Sequence, residues 1–319
     1  MEKGNYFDQG IRILEKKPPL KNKTLDDYNI NLVIIACIKN PVNFKFWIDH
    51  HINKCNVKKI FLRVQDSPHI KPLLDSYPDI IEPIYVSGFG QYISNGYFNI
   101  MEWQDSFADD IIQKIQDNSN NTYTHIAHID DDELIYFPNG IEYFYEELLA
   151  NPDCDTYSIT NIEASYTNKT NNIYKTPFFC IKPTEYTSYV NGKSIGNLNK
   201  NIRAFGPHTF RSGDIELTHV PGEYFANGYN FNSSNIVVLH YESSCIKKWY
   251  EKYKAYSIDN KEDARYDTSP IPFKFYKESI EAFKNDIKNK EEIWERYKLV
   301  KYRNPYHLIK IDIENKLFI

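Results

Sequence analysis

Four consecutive acidic residues, Asp130 to Glu133, directly follow an apolar run that is typical of a buried strand. Adjacent carboxylates repel one another unless solvent or a cation screens them. Because side chains alternate across a strand, we expect Asp130 and Asp132 on one side and Asp131 and Glu133 on the other. An Asp-x-Asp pair of this kind predicts an oxygen-only site for Mg²⁺ or Mn²⁺. The alternative is a solvated acidic turn.

The residues before this acidic run alternate between strand and helix patterns. Short apolar runs predict four strands, at residues 32–38, 59–64, 80–86 and 124–129. Asn40 is expected to cap the helix after the first strand, with Pro41 in its first turn and Trp47 facing inward. The alternation predicts the α/β class, with a mostly parallel central sheet and helices on both faces.

Charged residues near the predicted strand ends are candidate ligand contacts, because ligands of open α/β sheets lie beyond the carboxyl ends of the strands. Asp66 and Asp130 both follow such ends, so we expect them to share one crevice. Asp66 is a candidate acceptor for hydrogen bonds from a base or a ribose, or it only initiates a turn.

The composition argues against several classes of protein. A net charge of −5 over 319 residues disfavours a nucleic-acid partner. The five cysteines are scattered and odd in number, which indicates neither a zinc site nor a disulfide framework. The sequence shows no signal peptide and no apolar run that could span a membrane, so a soluble, cytoplasmic protein is expected. The aromatic content of 15% suits a surface that stacks on sugars, or it only follows the overall composition.

Three parts are expected along the chain. Residues 1–28 predict an N-terminal arm, residues 29–255 the main domain, and residues 256–319 a C-terminal helical extension packed on that domain. Over residues 165–235 the apolar residues show only weak periodicity, which predicts loops and short antiparallel strands. A last strand is expected to end at His240. The sequence leaves the oligomeric state open.

Several motifs together are similar to one known family. They are Lys39-Asn40, Trp47-Ile48-Asp49-His50-His51, Cys55-Asn56-Val57, Ile129-Asp130-Asp131-Asp132-Glu133-Leu134-Ile135, Lys193-Ser194-Ile195, Pro207-His208-Thr209-Phe210 and His240-Tyr241. In this order, over residues 31–255, they resemble the GT-A nucleotide-sugar glycosyltransferases, in the family-92-like and family-2-like branch.

The resemblance implies a GT-A fold, Rossmann-like, and transfer of a sugar from a nucleoside-diphosphate sugar to a hydroxyl group of a glycan or protein. A UDP-sugar is the expected donor. Lys193, Arg203 and Arg211 are candidate partners of its diphosphate, or they are solvated loop charges. The resemblance also implies that Asp132 binds Mn²⁺ or Mg²⁺, which neutralises the departing diphosphate, and that Asp130 contacts the ribose or a metal-bound water. His240 is implied as a further metal ligand through a neutral imidazole. The alternative for His240 is a hydrogen-bonded core histidine.

Inversion at the sugar, the expected stereochemistry, requires a carboxylate that takes the proton of the acceptor hydroxyl. Asp214 and Glu223, in the loop-rich stretch, are the candidates for this base. The other residues considered for the acceptor side are Glu163, His208, Glu216 and His219.

Two other functions remain open from sequence. A sugar-nucleotide nucleotidyltransferase would share the fold and the metal carboxylates, but it usually carries a Gly-rich basic loop after the first strand. Lys39 to Asn43 contain no glycine. A non-catalytic carbohydrate-binding or structural protein on a transferase fold is the other alternative.

Overall fold

The computed structural model describes residues 17–18, 20, 23–87, 96–170, 172–212, 230–259, 273–313 and 317–318. Contacts between residues divide the chain into two units. The N-terminal unit comprises Lys16–Thr160 and Asn191–Val238. The C-terminal unit includes Asn161–Val190 and Leu239–Ile319. The predicted division into arm, main domain and extension stays a prediction.

The described strands and helices range from two to 21 residues in length. The strands are β1 Leu32–Lys39, β2 Lys59–Gln65, β3 Ile81–Val86, β4 His125–His128, β5 Glu133–Tyr136, β6 Thr156–Ser165, β7 Phe178–Cys180, β8 Lys193–Asn197, β9 Ile202–Phe205, β10 Thr209–Ser212, β11 Asn230–His240, β12 Leu308–Asp312 and β13 Leu317–Phe318. The helices are α1 Phe44–Cys55, α2 Lys71–Leu74, α3 Gly96–Gln116, α4 Ile141–Ala150, α5 Ile246–Asp259, α6 Lys274–Lys284 and α7 Glu291–Lys298.

The sheet of the N-terminal unit is mixed. Strands β3, β2, β1 and β4 are neighbours in that order and run parallel. Strand β8 then pairs antiparallel with β4, and the first part of β6 pairs antiparallel with β8. The predicted α/β class is confirmed, but the mostly parallel sheet is not. The antiparallel pairs come from β8 and β6, and β8 lies in the stretch of weak periodicity that gives no direction from sequence.

Strand β1 is buried on both faces, as its unbroken apolar run predicts. Val33 and Ile35 point into a cluster with one face of α3, where Ile111 and Ile112 lie. Ile34, which alternates with them, is also fully buried. The β9–β10 ribbon adds Ile202 and other apolar residues to the same cluster. This core fixes the strands whose carboxyl ends carry the candidate site.

The C-terminal unit combines antiparallel strands with three helices. The second part of β6 pairs with β7, β7 with β12, and β12 with β13. The indole of Trp249 donates to Ser279 Oγ at 3.0 Å and so joins α5 to α6. The predicted helices at the C-terminal end are present as α6 and α7, but β12 and β13 were not predicted. Among the described residues, none of the helices is both long and apolar enough to cross a bilayer.

Candidate functional site

The acidic run forms a turn that connects β4 to β5, and Glu133 is the first residue of β5. The Glu133 amide donates to the Asp130 carbonyl at 3.1 Å, and the Asp130 amide donates to Glu133 Oε2 at 2.8 Å. The predicted alternation of Asp130 and Asp132 against Asp131 and Glu133 is therefore wrong, because the chain reverses within these residues. Glu133 is fully buried and holds the turn closed. Asp131 and Asp132 lie at its tip and are partly exposed.

A buried lysine neutralises the two carboxylates at the base of this turn. Lys193 Nζ lies 2.8 Å from Asp130 Oδ2, 3.2 Å from Glu133 Oε2 and 2.8 Å from the Pro207 carbonyl. An ammonium has three N–H donors, and these acceptors use all of them. The contact of Lys193 with a diphosphate, which would have to compete with these acceptors, stays a prediction. Lys193 stabilises the turn.

The ion pair governs the charge of Asp130. Burial by itself would raise the pKa of Asp130, but the Lys193 ammonium, with smaller contributions from His128 and His208, lowers this pKa to about 2. Burial would likewise lower the pKa of Lys193, and the two carboxylates raise it instead. Both groups are therefore charged over the whole physiological pH range.

The position of Lys193 depends on the glycine before it. Gly192 has a left-handed backbone, with φ of 67°, and a Cβ there would lie 1.9 Å from the Ile159 carbonyl oxygen. Only glycine fits this close approach of β8 to β6. The His208 ring, through Nδ1, donates to the Gly192 carbonyl at 3.0 Å. The Gly-Lys-Ser and Pro-His-Thr-Phe segments are thus joined at the back of the acidic turn.

Helix α1 also holds the acidic turn, and it does so through aromatic residues. The Trp47 indole donates to the Asp130 carbonyl at 2.9 Å. His50 Nε2 donates to the Ile135 carbonyl at 2.6 Å, and the Ile135 amide donates to His51 Nε2 at 3.3 Å. The sequence predicts that Trp47 faces inward, but it does not predict these hydrogen bonds. The sequence signal for these contacts is that the Trp-Ile-Asp-His-His motif and the acidic motif occur in the same chain.

The loops after β1 and β2 are joined by one serine. Ser67 Oγ accepts from the Asn40 amide at 2.7 Å and donates to the Gln65 carbonyl at 2.7 Å. Asn40 and Asp66 both have left-handed backbones, with φ of 48° and 44°. Such conformations are uncommon for residues other than glycine and concentrate at functional sites. Lys39 Nζ lies 3.7 Å from Asp66 Oδ2, and both side chains are partly exposed.

The start of α1 differs from the prediction. The helix begins at Phe44, and Asn43 occupies the N-cap position with φ of 54° and no side-chain hydrogen bond. Asn40 is therefore not the cap. Its amide is used by Ser67 instead, and the left-handed residues at 40 and 43 lengthen the connection between strand and helix.

Two of the predicted phosphate contacts lie on the β9–β10 ribbon. The Arg203 side chain is 55% exposed, and its Nη1 lies 3.9 Å from Asp109 Oδ2. The Arg211 guanidinium lies over the Phe205 ring, 5.0 Å from its centroid. An exposed guanidinium is available to an anion, but the diphosphate contact of either arginine stays a prediction.

His240 and Glu163 belong to the C-terminal unit, where both are buried. Glu163 Oε2 accepts from the amide and hydroxyl of Thr187, both at 2.7 Å, and Oε1 accepts from the Ser188 amide at 2.9 Å. Burial would raise the pKa of Glu163, but the Lys298 ammonium and His240 lower it to about 2. Glu163 is thus a structural carboxylate, unsuited to take a proton from an acceptor. His240 Nδ1 lies 3.7 Å from its Oε1.

The candidate bases lie elsewhere. Asp214 and Glu223 are outside the described residues, as are Glu216 and His219. Their roles on the acceptor side stay predictions.

Two buried histidines of the N-terminal unit predict how stability depends on pH. Burial lowers the pKa of His50 and of His125 to about 4. In the unfolded chain each titrates near 6.5, so the unfolded state takes up protons first as the pH falls. The free energy of unfolding should therefore fall between about pH 6.5 and pH 4, by about 1.4 kcal/mol per pH unit for each histidine. Urea unfolding at a series of pH values measures this slope.

His125→Phe is the matched variant for this prediction. The His125 ring packs 5.8 Å from the Tyr157 ring, centroid to centroid, and phenylalanine keeps that contact. The variant should lose one histidine's share of the pH dependence. An unchanged slope would contradict the assignment of His125 as a buried neutral group.

Comparisons with known proteins give similarities to solved structures only. A scan against protein-family models gave no match, and neither did a search of curated proteins. The 4-diphosphocytidyl-2C-methyl-D-erythritol synthase from Anaerococcus prevotii is 11% identical, over 54% of this chain and 73% of that one, with a TM-score of 0.29. HddC from Yersinia pseudotuberculosis is 10% identical, over 70% of this chain and 97% of that one, with a TM-score of 0.33. Similarities at this level carry no argument about activity.

Proposed function

We propose that the carboxyl edge of β1, β2 and β4 binds a nucleotide-sugar together with a divalent cation, and that the protein is a glycosyltransferase. The acidic turn carries this proposal. Lys193 neutralises Asp130 and Glu133 inside the turn, while Asp131 and Asp132 stay at its partly exposed tip. Because the two carboxylates inside the turn are neutralised and fixed, the two at its tip are held in a defined position and are suited to bind a cation.

The donor set at the tip fits Mn²⁺ or Mg²⁺, since it offers carboxylate oxygens. Asp132 would hold the ion, as the resemblance implies, and the ion would supply a Lewis acid for the departing diphosphate. Asp130 stays ionised beside Lys193 and would contact the ribose or a water through the oxygen that faces away from the ammonium. His240 stays a predicted metal ligand.

Other residues at this edge would bind the nucleotide. Asp66 follows β2 in a left-handed conformation, partly exposed, and would accept hydrogen bonds from the base or ribose. Its partner Lys39, whose exposed ion pair with Asp66 at 3.7 Å is weak, would turn toward phosphate. Arg203, with its exposed guanidinium, would contact the diphosphate.

Nucleotidyl transfer is the second candidate reaction. The similarity to the synthase from Anaerococcus prevotii, at a TM-score of 0.29, does not decide between nucleotidyl and glycosyl transfer, so the choice is left to experiment. Against nucleotidyl transfer, the loop after β1 offers few phosphate donors, since it lacks glycine and the Asn40 amide is taken by Ser67. A non-catalytic carbohydrate-binding protein is the third candidate.

Calorimetry with UDP, in the presence and absence of Mn²⁺, tests the site. We expect Mn²⁺ to raise the affinity for UDP at least about tenfold, which corresponds to about 1.4 kcal/mol. Affinity for UDP that does not respond to metal would contradict the proposal. Sugar release from a panel of UDP- and GDP-sugars would then support glycosyl transfer, and pyrophosphate release from a nucleoside triphosphate and a sugar phosphate would support nucleotidyl transfer.

A further inference from the structure

Arg63 lies near the carboxyl end of β2, on the side of the sheet that α3 covers. Phe61 packs in the apolar cluster with α3, and Arg63 follows two residues later, so the two side chains point to the same side. Cys37 is opposite Arg63 in β1 and packs against that cluster as well. Arg63 itself is partly exposed, so a cation lies between the apolar core and the strand ends.

The registers of three neighbouring strands place Arg63 close to the acidic turn. Cys37 of β1 pairs with Arg63 of β2. Strand β4 pairs with β1 on the other side, and the Ile129 amide donates to the Ile35 carbonyl at 3.0 Å, so the register continues beyond β4 and brings Asp130 level with Cys37. Arg63 and Asp130 therefore flank Cys37, with about 10 Å between their backbones, because adjacent strands lie about 4.8 Å apart.

The thiol of Cys37 responds to the charges on both sides. Burial raises the pKa of this thiol to about 12, the Arg63 guanidinium acts to lower it, and the Asp130 carboxylate acts to raise it further. Both charged groups are therefore close enough to act on the same sulfur atom. This agrees with the strand registers and places the guanidinium at the edge of the crevice that holds Asp130.

Trp103 of α3 holds the guanidinium in place. Arg63 Cζ lies 3.0 Å from the centroid of the indole, and Nη1 donates to the Trp103 carbonyl at 3.3 Å. An aromatic ring attracts a guanidinium to its face, while the N–H groups at the rim of the guanidinium still point outward. Arg63 is thus fixed without the help of a carboxylate.

The Arg63 guanidinium has more donors than acceptors around it. It carries five N–H donors, and Nε is buried without a hydrogen-bond partner. Within the described ranges, the bond to Trp103 is the only hydrogen bond of Arg63, and no acidic side chain forms an ion pair with it. Nε and Nη2 each direct one N–H the same way, and this fork matches two oxygens of a phosphate or a carboxylate.

We propose that Arg63 binds an oxyanion of the donor substrate through its Nε and Nη2 donors. The inference rests on the proposed function, which places a nucleotide-sugar at this edge of the sheet. The oxyanion is a phosphoryl group of the diphosphate or the carboxylate of an acidic sugar, since both fit the fork. A neutral hydroxyl would satisfy one donor but would leave the cation without a counter-charge. Arg63 is thereby a residue that selects donors by their negative charge.

Nuclear magnetic resonance of the arginine side chains in the full chain tests this proposal. The chain has seven arginines, and the Nε–H signal of Arg63 is the one lost in Arg63→Lys. We expect pyrophosphate, with and without Mg²⁺, to shift this signal and to slow its exchange with water. Glucuronate should do so instead if the ligand is a sugar carboxylate. The Arg296 signal, from an exposed arginine paired with Glu278, should not change.

Calorimetry of the variants measures what the fork contributes. Arg63→Lys keeps the charge but loses the fork, and it should bind UDP at least about tenfold more weakly than the wild type does. If the ligand is the sugar carboxylate, that loss should appear with UDP-glucuronate and not with UDP. Arg63→Gln, which removes the charge as well, should lose more. Arg296→Lys is the matched control on the C-terminal unit and should bind as the wild type does.

An Arg63 signal that neither pyrophosphate nor glucuronate shifts would overturn the proposal, as would equal affinities of Arg63→Lys and the wild type for UDP and for UDP-glucuronate. If both variants unfold, a nuclear Overhauser effect to the Trp103 ring identifies the Arg63 signal in the wild type, and the anion titration decides. The proposed function fails separately, through affinity for UDP that does not respond to Mn²⁺. A protein that passes that test but leaves Arg63 unshifted would refute only the role of Arg63.

Discussion

Replacement of Lys193 by methionine is expected to lower the free energy of unfolding by about 3–5 kcal/mol. Methionine keeps most of the volume of the side chain but removes the ammonium that lies 2.8 Å from Asp130 and 3.2 Å from Glu133. Glu133 is fully buried, so its charge would lose the ammonium that neutralises it and would stay shielded from solvent. Urea unfolding at pH 7, followed by tryptophan fluorescence and circular dichroism, measures the loss.

Two further variants distinguish the loss of the Lys193 ion pairs from the effect of removing any lysine. Lys71→Met removes an exposed lysine that lies 2.7 Å from Asp75, and it should change stability by no more than about 0.5 kcal/mol. Lys193→Met/Glu133→Gln should recover part of the loss, because the fully buried charge of Glu133 is gone. The role of Lys193 would be refuted by equal losses in Lys193→Met and Lys71→Met.

The strands of the N-terminal unit could be predicted from sequence because their signals are local. The apolar run of β1 reflects burial on both faces, and its observed range, Leu32–Lys39, differs from the prediction by one residue. The same holds for β2, at Lys59–Gln65. Each strand is long enough for hydrophobicity alone to identify it.

The shape of the acidic site could not be predicted, since it depends on contacts distant in sequence. Asp130 and Lys193 are 63 residues apart, and Trp47 and Asp130 are 83 residues apart. Nothing local distinguishes the carboxylates that face inward from those at the tip of the turn. The alternation rule failed because the chain turns where the rule assumed a strand.

The antiparallel part of the sheet escaped prediction for a related reason. Strand β8, with the sequence Lys-Ser-Ile-Gly-Asn, has a single large apolar residue, yet all five of its residues are buried. Gly196 permits this burial, since a Cβ there would meet Ile202 Cδ1 at 2.6 Å. Because β8 is buried with the help of glycine and of polar groups that have partners, its sequence lacks the apolar–polar alternation by which a strand is recognised.

Conversion of Asp132 to asparagine is expected to reduce the rate of sugar transfer at least about 100–1000-fold. Asparagine keeps the size of the side chain and one oxygen, but it removes the negative charge that would hold the cation at the tip of the turn. The fold should persist, because Asp130, Glu133 and Lys193 close the turn without Asp132. Steady-state transfer or hydrolysis of the nucleotide-sugar that the panel identifies measures the effect.

Asp131→Asn is the matched control, since Asp131 shares the partly exposed tip of the turn and differs from Asp132 by one position. The motif places no ligand there, so Asp131→Asn should keep a rate near that of the wild type and the same dependence on Mn²⁺. Equal losses in both variants would mean that the acidic tip acts through its total charge. In that case the assignment of the cation to Asp132 would be wrong, while the neutralisation of Asp130 and Glu133 by Lys193 would still hold, because it rests on a different set of atoms.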